Sequence, residues 1–72
     1  MPPNLPVLRP REVLRKLKKA GFYEVRQSGS HLQLRCGNLL VTLPMHSHDV
    51  PPGTLRSILR QAHLAPEEFR RL

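Results

Sequence analysis

Between residues 22 and 43 the chain reads as three short segments punctuated by Ser28-Gly29 and Gly37-Asn38. Glycine-bearing pairs between alternating runs are the local signal for tight hairpins, so this stretch is expected to fold as an antiparallel meander. The first strand is expected over 22–27, with Tyr23 and Val25 on one face and Glu24 and Arg26 on the other. The second runs from about Ser30 to Cys36. Because strand side chains alternate, Leu32, Leu34 and Cys36 share one face and His31, Gln33 and Arg35 the other. The third strand, Leu39 to Leu43, sets Leu39, Val41 and Leu43 against Leu40 and Thr42. One apolar sheet face results, and it has to be covered.

Two amphipathic segments supply the cover. Val13, Leu14, Leu17 and Ala20 follow helical spacing after Pro10, a natural first-turn residue, and Gly21 is the expected stop. Arg11, Arg15, Lys16, Lys18 and Lys19 are read as the solvated remainder of that helix. Leu55, Ile58, Leu59 and Ala62 mark a second helix from about Gly53 to Ala62, with His63 placed to meet its last carbonyls. Pro66, with Glu67 and Glu68 behind it, opens a short final helix anchored by Phe69. Residues 1–9, with Pro2, Pro3 and Pro6, read as a flexible lead-in, and residues 10–72 as one domain. The expected class is α+β: two layers in the order α-β-β-β-α, a three-stranded antiparallel sheet with both helices on one face and a short C-terminal helix.

At 72 residues such a domain buries a modest core and has no depth for a cofactor cleft. A single cysteine, Cys36, rules out an internal disulfide and is read as a small core residue. No apolar run opens the chain or approaches membrane-spanning length, so a cytoplasmic protein is expected. Twelve Lys and Arg against five Asp and Glu give a net charge of +7. That excess calls for a polyanionic partner: nucleic acid first, then an acidic protein or a membrane surface. Phe22 and Tyr23 are too few for the aromatic platform of an RNA-recognition motif, so phosphate and shape recognition are expected instead.

His31 is left on the polar face of an amphipathic strand beside Arg35. Histidine exchanges protons near neutrality. RNA cleavage by the 2′-hydroxyl needs a base, an acid and a cation, which His31 with Arg35 or Arg26 would supply without a metal. The alternative is an exposed strand histidine with no task. His46-x-His48, with Asp49 as a third group, has the beginnings of a zinc site; a polar loop closing on the sheet edge explains it as well, and no metal is expected. His46 is also open as a group that positions RNA or His31. Gly53-Thr54 would offer free N–H groups and a hydroxyl to a phosphate, with Arg56 one turn in, or simply cap the helix.

Several segments together resemble the HicA toxin family. Leu14-Arg15-Lys16-Leu17-Lys18-Lys19-Ala20-Gly21-Phe22 is similar to its helix-to-strand junction, Gly29-Ser30-His31 to its signature tripeptide, and Pro44-Met45-His46 to the end of its third strand. The run Gly53 to Ala62 is similar to its second helix, and Pro66-Glu67-Glu68-Phe69 to its ending. The likeness spans about residues 12–70 and departs from the pattern at His63, where a glycine is usual, and in the proline-rich start. It implies a fold like double-stranded-RNA-binding domains and a ribosome-independent mRNA interferase of a type II toxin–antitoxin pair; with the chemistry above, the expected enzyme is metal-independent and needs no cofactor. It puts the essential histidine at His31; Ser30 and His46 are candidate catalytic support. Lys19, Arg26, Gln33, Arg35, Thr54 and Arg56 are the candidate RNA contacts. The implied partners are mRNA and a HicB-type antitoxin, the chain being a monomer or held in a complex with that antitoxin. Two alternatives stay open: a non-catalytic double-stranded-RNA-binding module, reading shape over about 16 base pairs, and a basic adaptor for an acidic protein.

Overall fold

The computed structural model describes residues 7–45 and 48–72. Six elements succeed one another: α1 (Pro10–Lys19), β1 (Tyr23–Ser28), β2 (His31–Cys36), β3 (Leu39–Pro44), α2 (Pro52–Ala62) and α3 (Pro66–Arg70). The strands form one antiparallel sheet in the order β1-β2-β3. Leu32, Leu34, Val41 and Leu43 point from it into a core completed by Val13 and Leu17 of α1, Leu55, Ile58, Leu59 and Ala62 of α2, and Phe69 of α3. The expected α+β order, with helices on one sheet face and a short final helix, is the order observed. Ahead of α1, Leu8 bridges Val50, whose N–H donates to the Leu8 carbonyl at 2.8 Å. Val50 is buried at this contact, so the loop after β3 is tied to the start of the domain.

Both long helices end in the same device. Past α1, the Phe22 N–H donates to the Leu17 carbonyl and the Gly21 N–H to that of Lys18, both at 3.0 Å. This doubly bonded exit needs a left-handed residue in its middle, and Gly21 takes φ +104°. Past α2, the Leu64 N–H reaches Leu59 O at 3.0 Å and the His63 N–H reaches Arg60 O at 3.2 Å. Here the left-handed residue is His63, at φ +56°. The expected role of His63 as the end of α2 is thus carried by its backbone, at the steric cost a Cβ brings to that conformation. Helix α2 also starts one residue earlier than expected, because Pro52, like Pro10 in α1, takes a first-turn position where no N–H is needed.

Three expectations are corrected. The first hairpin turns at Gly29-Ser30, not Ser28-Gly29, so β2 begins at His31. Gly29 takes φ +58° at the first turn position, where a β-carbon is disfavoured. Next, Tyr23 and Val25 do not share the apolar face. Phe22 precedes the strand rather than opening it, and folds back buried beside Leu17 as the exit from α1 demands. Alternation counted forward from Phe22 would turn Ser28 inward, yet the hairpin pairs Ser28 with His31 on the outer side. One extra residue resolves the conflict. The register slips between Glu24 and Arg26, leaving Val25 as a bulge. Tyr23 therefore faces outward opposite Arg35, and Glu24 turns to the helix side, where Lys18 pairs with it.

The third correction is Lys16. It is not solvated but buried. Its Nζ donates to the carbonyls of Phe69 (3.2 Å), Arg70 (3.4 Å) and Leu72 (3.0 Å) and lies 5.2 Å from the centre of the Phe69 ring. A cation here meets the unsatisfied carbonyls and negative end of α3. The short helix is held by one ammonium as well as by the buried Phe69 ring.

The β3 edge is partly closed, since Gln61 of α2 accepts a hydrogen bond from the Thr42 N–H at 3.0 Å. Pro44, at the end of the same strand, has no N–H to offer.

These contacts set the expected stability of three variants. Lys16→Met keeps most of the aliphatic packing but removes the charged donor, and is expected to cost about 2 kcal/mol in urea unfolding. Arg15→Met, which breaks only the exposed 3.1 Å pair with Glu12, should cost no more than about 0.5 kcal/mol. His63→Gly relieves the left-handed histidine and is expected to stabilise by about 1 kcal/mol in the same assay.

Candidate functional site

The sheet face turned away from the helices carries four of the candidate residues, Arg26, His31, Gln33 and Arg35. Cross-strand pairing arranges it in rows. Ser28, His31 and Pro44 form the first, Arg26, Gln33 and Thr42 the second, and Tyr23, Arg35 and Leu40 the third. Directly paired side chains stand about 5 Å apart, and successive rows about 6.6 Å along the strands. Each row is fixed from below, because the residues between these positions on β2 and β3 are the buried Leu32, Leu34, Val41 and Leu43. A slip of one residue would exchange this face with the core.

His31 opens β2, exposed, at the corner where the first hairpin closes. Three features hold its backbone: the Gly29-Ser30 turn, the pairing with Ser28 and Pro44, and a hydrogen bond from the Met45 N–H to the Ser30 carbonyl. Gln27 reinforces the turn by donating from Nε2 to the Gly29 carbonyl at 3.1 Å. The backbone that carries the imidazole is thereby fixed at the corner of the face. Ser30, its neighbour, is half-buried in the turn. His46 lies outside the described residues.

The other candidate contacts divide between two layers. Arg26, Gln33 and Arg35 share the outer face with His31. Gln33 is half-buried between strand neighbours, while both arginines are exposed. Arg26 keeps this position because the bulge lies on the far side of it from the turn. Lys19 ends α1, and Thr54 and Arg56 belong to α2, so these three sit on the helical layer. Asp49, a candidate metal ligand beside His48, faces Arg9 instead, at 4.0 Å. Among the described residues no three His, Cys, Asp or Glu side chains gather as a metal-holding group.

The electrostatics of the outer face come from where the acids are. The chain has five Asp and Glu side chains, and none lies on that face. Glu12 pairs with Arg15, Glu24 with Lys18 and Asp49 with Arg9. Glu68 accepts from the Ala65 N–H at 3.0 Å at the start of α3, and Glu67 lies in the same turn. Among the described residues the charged side chains in the rows of the outer face are Arg26 and Arg35, beside His31, and no Asp or Glu stands among them, a field suited to a polyanion.

Sequence reasoning misses one member of this surface. Simple alternation puts Tyr23 on the apolar side, yet it is 56% exposed beside Arg35, with the bulged Val25 51% exposed and Leu40 42% exposed. Its position follows by counting from Phe22, buried at the helix exit, and is lost when counting back from Ser28 at the turn.

Comparison with known families finds that residues 10–64 match the model described as HicA toxin of bacterial toxin-antitoxin. The match covers both long helices and the whole sheet, and stops short of α3. No curated protein matches the chain.

Proposed function

The chain belongs to the HicA toxin family of bacterial toxin–antitoxin systems, and from that premise we propose that it is an endoribonuclease that cleaves mRNA, free of the ribosome, with His31 as general acid/base. Family membership implies a cognate antitoxin, which we take to be a HicB-type protein that covers the outer sheet face. Among the described residues no helix is long and apolar enough to cross a membrane.

The observation that carries the reading is the placement of His31, an exposed imidazole on a rigid strand start, in a face whose charged side chains are all basic. The chemistry is transesterification. The imidazole takes the proton of a ribose 2′-hydroxyl as its oxygen attacks the adjacent phosphorus. A bond forms between phosphorus and the 2′-oxygen, and the bond to the 5′-oxygen breaks. The products are a 2′,3′-cyclic phosphate and a 5′-hydroxyl, the leaving oxygen recovering a proton from the imidazolium or from water. Arg26 and Arg35 supply the positive charge that holds the phosphates of the strand. His46 is the candidate second proton carrier, and Lys19, Thr54 and Arg56 would receive RNA extending past the sheet edge. Because proton transfer and charge both come from side chains, this reaction runs in the presence of EDTA.

His31→Ala is expected to lower cleavage of single-stranded RNA by about 10²–10⁴-fold, while leaving unfolding stability within about 1 kcal/mol. Equal cleavage by variant and wild type would remove His31 from the mechanism. Tight duplex binding with no cleavage by the wild type would instead favour a double-stranded-RNA-binding module. Affinity for a non-cleavable RNA should fall steeply with salt, the logarithmic slope losing roughly 0.7 for each phosphate contact removed. Arg26→Gln and Arg35→Gln should each flatten that slope, and a slope independent of both would separate the sheet face from RNA binding.

A further inference from the structure

The third row of the outer face is unlike the first two. Tyr23, Arg35 and Leu40 lie side by side across the three strands, and Tyr23 and Leu40 leave 56% and 42% of their surfaces open. The row combines an aromatic ring, a planar cation and an aliphatic flank. Arg35 is the only charged member, so an apolar protein segment would have to strip its guanidinium of water, whereas a nucleobase stacks on tyrosine or arginine while its phosphate meets the cation. The complete lack of Asp and Glu on this face points the same way.

We propose that Tyr23 and Arg35 form a stacking subsite for one unpaired base of the RNA, displaced along the strand from the phosphate cleaved at His31. The subsite rests on the reading of His31 as the cleaving group. From His31 to Arg35 is four residues of one strand, about 13 Å at the usual rise. Stacked nucleotides repeat at about 3.4 Å along a strand, and splayed ones at roughly twice that, so the stacked base lies two to four nucleotides from the scissile bond. The middle row, Arg26, Gln33 and Thr42, offers hydrogen bonds to sugar and phosphate between the two points. A base paired within a duplex cannot lie flat on Tyr23, which makes the third row selective for single strands. Because every base has a π-face, the subsite senses the presence of a base more than its identity.

Tyr23 is the only tyrosine of a chain without tryptophan, so its emission reports the subsite directly. The probe is a single-stranded hexanucleotide with a 2′-O-methyl ribose at the cleavage position, which binds without reacting. Binding should quench the tyrosine emission. Tyr23→Ala should weaken binding at least about 5-fold, and Tyr23→Trp should restore it. An abasic residue placed two to four nucleotides from the cleavage position should cause a similar loss in the wild type and none in Tyr23→Ala, as expected of two changes that delete one contact. Binding without quenching, with Tyr23→Ala unchanged, would overturn the subsite and leave the nuclease reading intact. Failure of the wild type to bind or cleave RNA at all would overturn the nuclease reading first and the subsite with it. If Tyr23→Ala spared RNA but weakened binding of the antitoxin protein, the row would be a protein contact and the subsite would fall.

Discussion

The exit of the chain from α1 governs most of the fold downstream of it. Gly21 turns the backbone through a left-handed conformation, and Phe22 folds back over Leu17 into the core. From that point the facing of β1 is set from its start, while the Gly29-Ser30 hairpin sets it independently from its end. The two settings differ by one residue. A domain of this size has no second core in which to absorb the difference, so the strand does, at Val25. The bulge is the least disruptive solution: it costs one unpaired residue and keeps Leu32 and Leu34, the centre of the sheet, in register with Leu43 and Val41.

Most of the fold is legible from periodicity and turn chemistry. Pro10, Gly21 and the alternation of Leu32, Leu34, Val41 and Leu43 mark elements whose local preferences agree with their final places. Two features are not legible, for different reasons. The bulge arises from a conflict between the two ends of β1, each set by contacts outside the strand that its own alternation does not show. Lys16 looks like any other basic residue of an amphipathic helix; its burial depends on carbonyls more than fifty residues away, at Phe69, Arg70 and Leu72. The polar sheet face with His31, Gln33 and Arg35 comes from the same alternation that identifies the core. Tyr23 is hidden by the bulge, and Lys19, Thr54 and Arg56 lie on the helical layer, with no pairing to bring them onto that face.

The distribution of charge is as informative as its total. A net +7 spread evenly would say only that the chain is basic. Here the few acidic side chains are engaged locally, on Arg15, Lys18, Arg9 and the first turn of α3. The outer sheet face keeps its basic side chains uninterrupted because no Asp or Glu stands among its cross-strand rows. Salt bridges of this exposed kind add little stability, and their larger effect is on where the remaining potential points.

The bulge in β1 has a second effect, on the edge of the sheet. A three-stranded open sheet has two rims of unsatisfied backbone, and a flat rim is a template for stacking copies of the same chain into fibres. On one rim Gln61 already occupies an N–H of β3, and Pro44 removes another. On the other, the extra residue at Val25 breaks the regular spacing and twists the strand, so a second molecule cannot continue the hydrogen-bond ladder along its full length. The irregularity that lets Tyr23 face outward thus also leaves this rim of the sheet a poor template for a second strand.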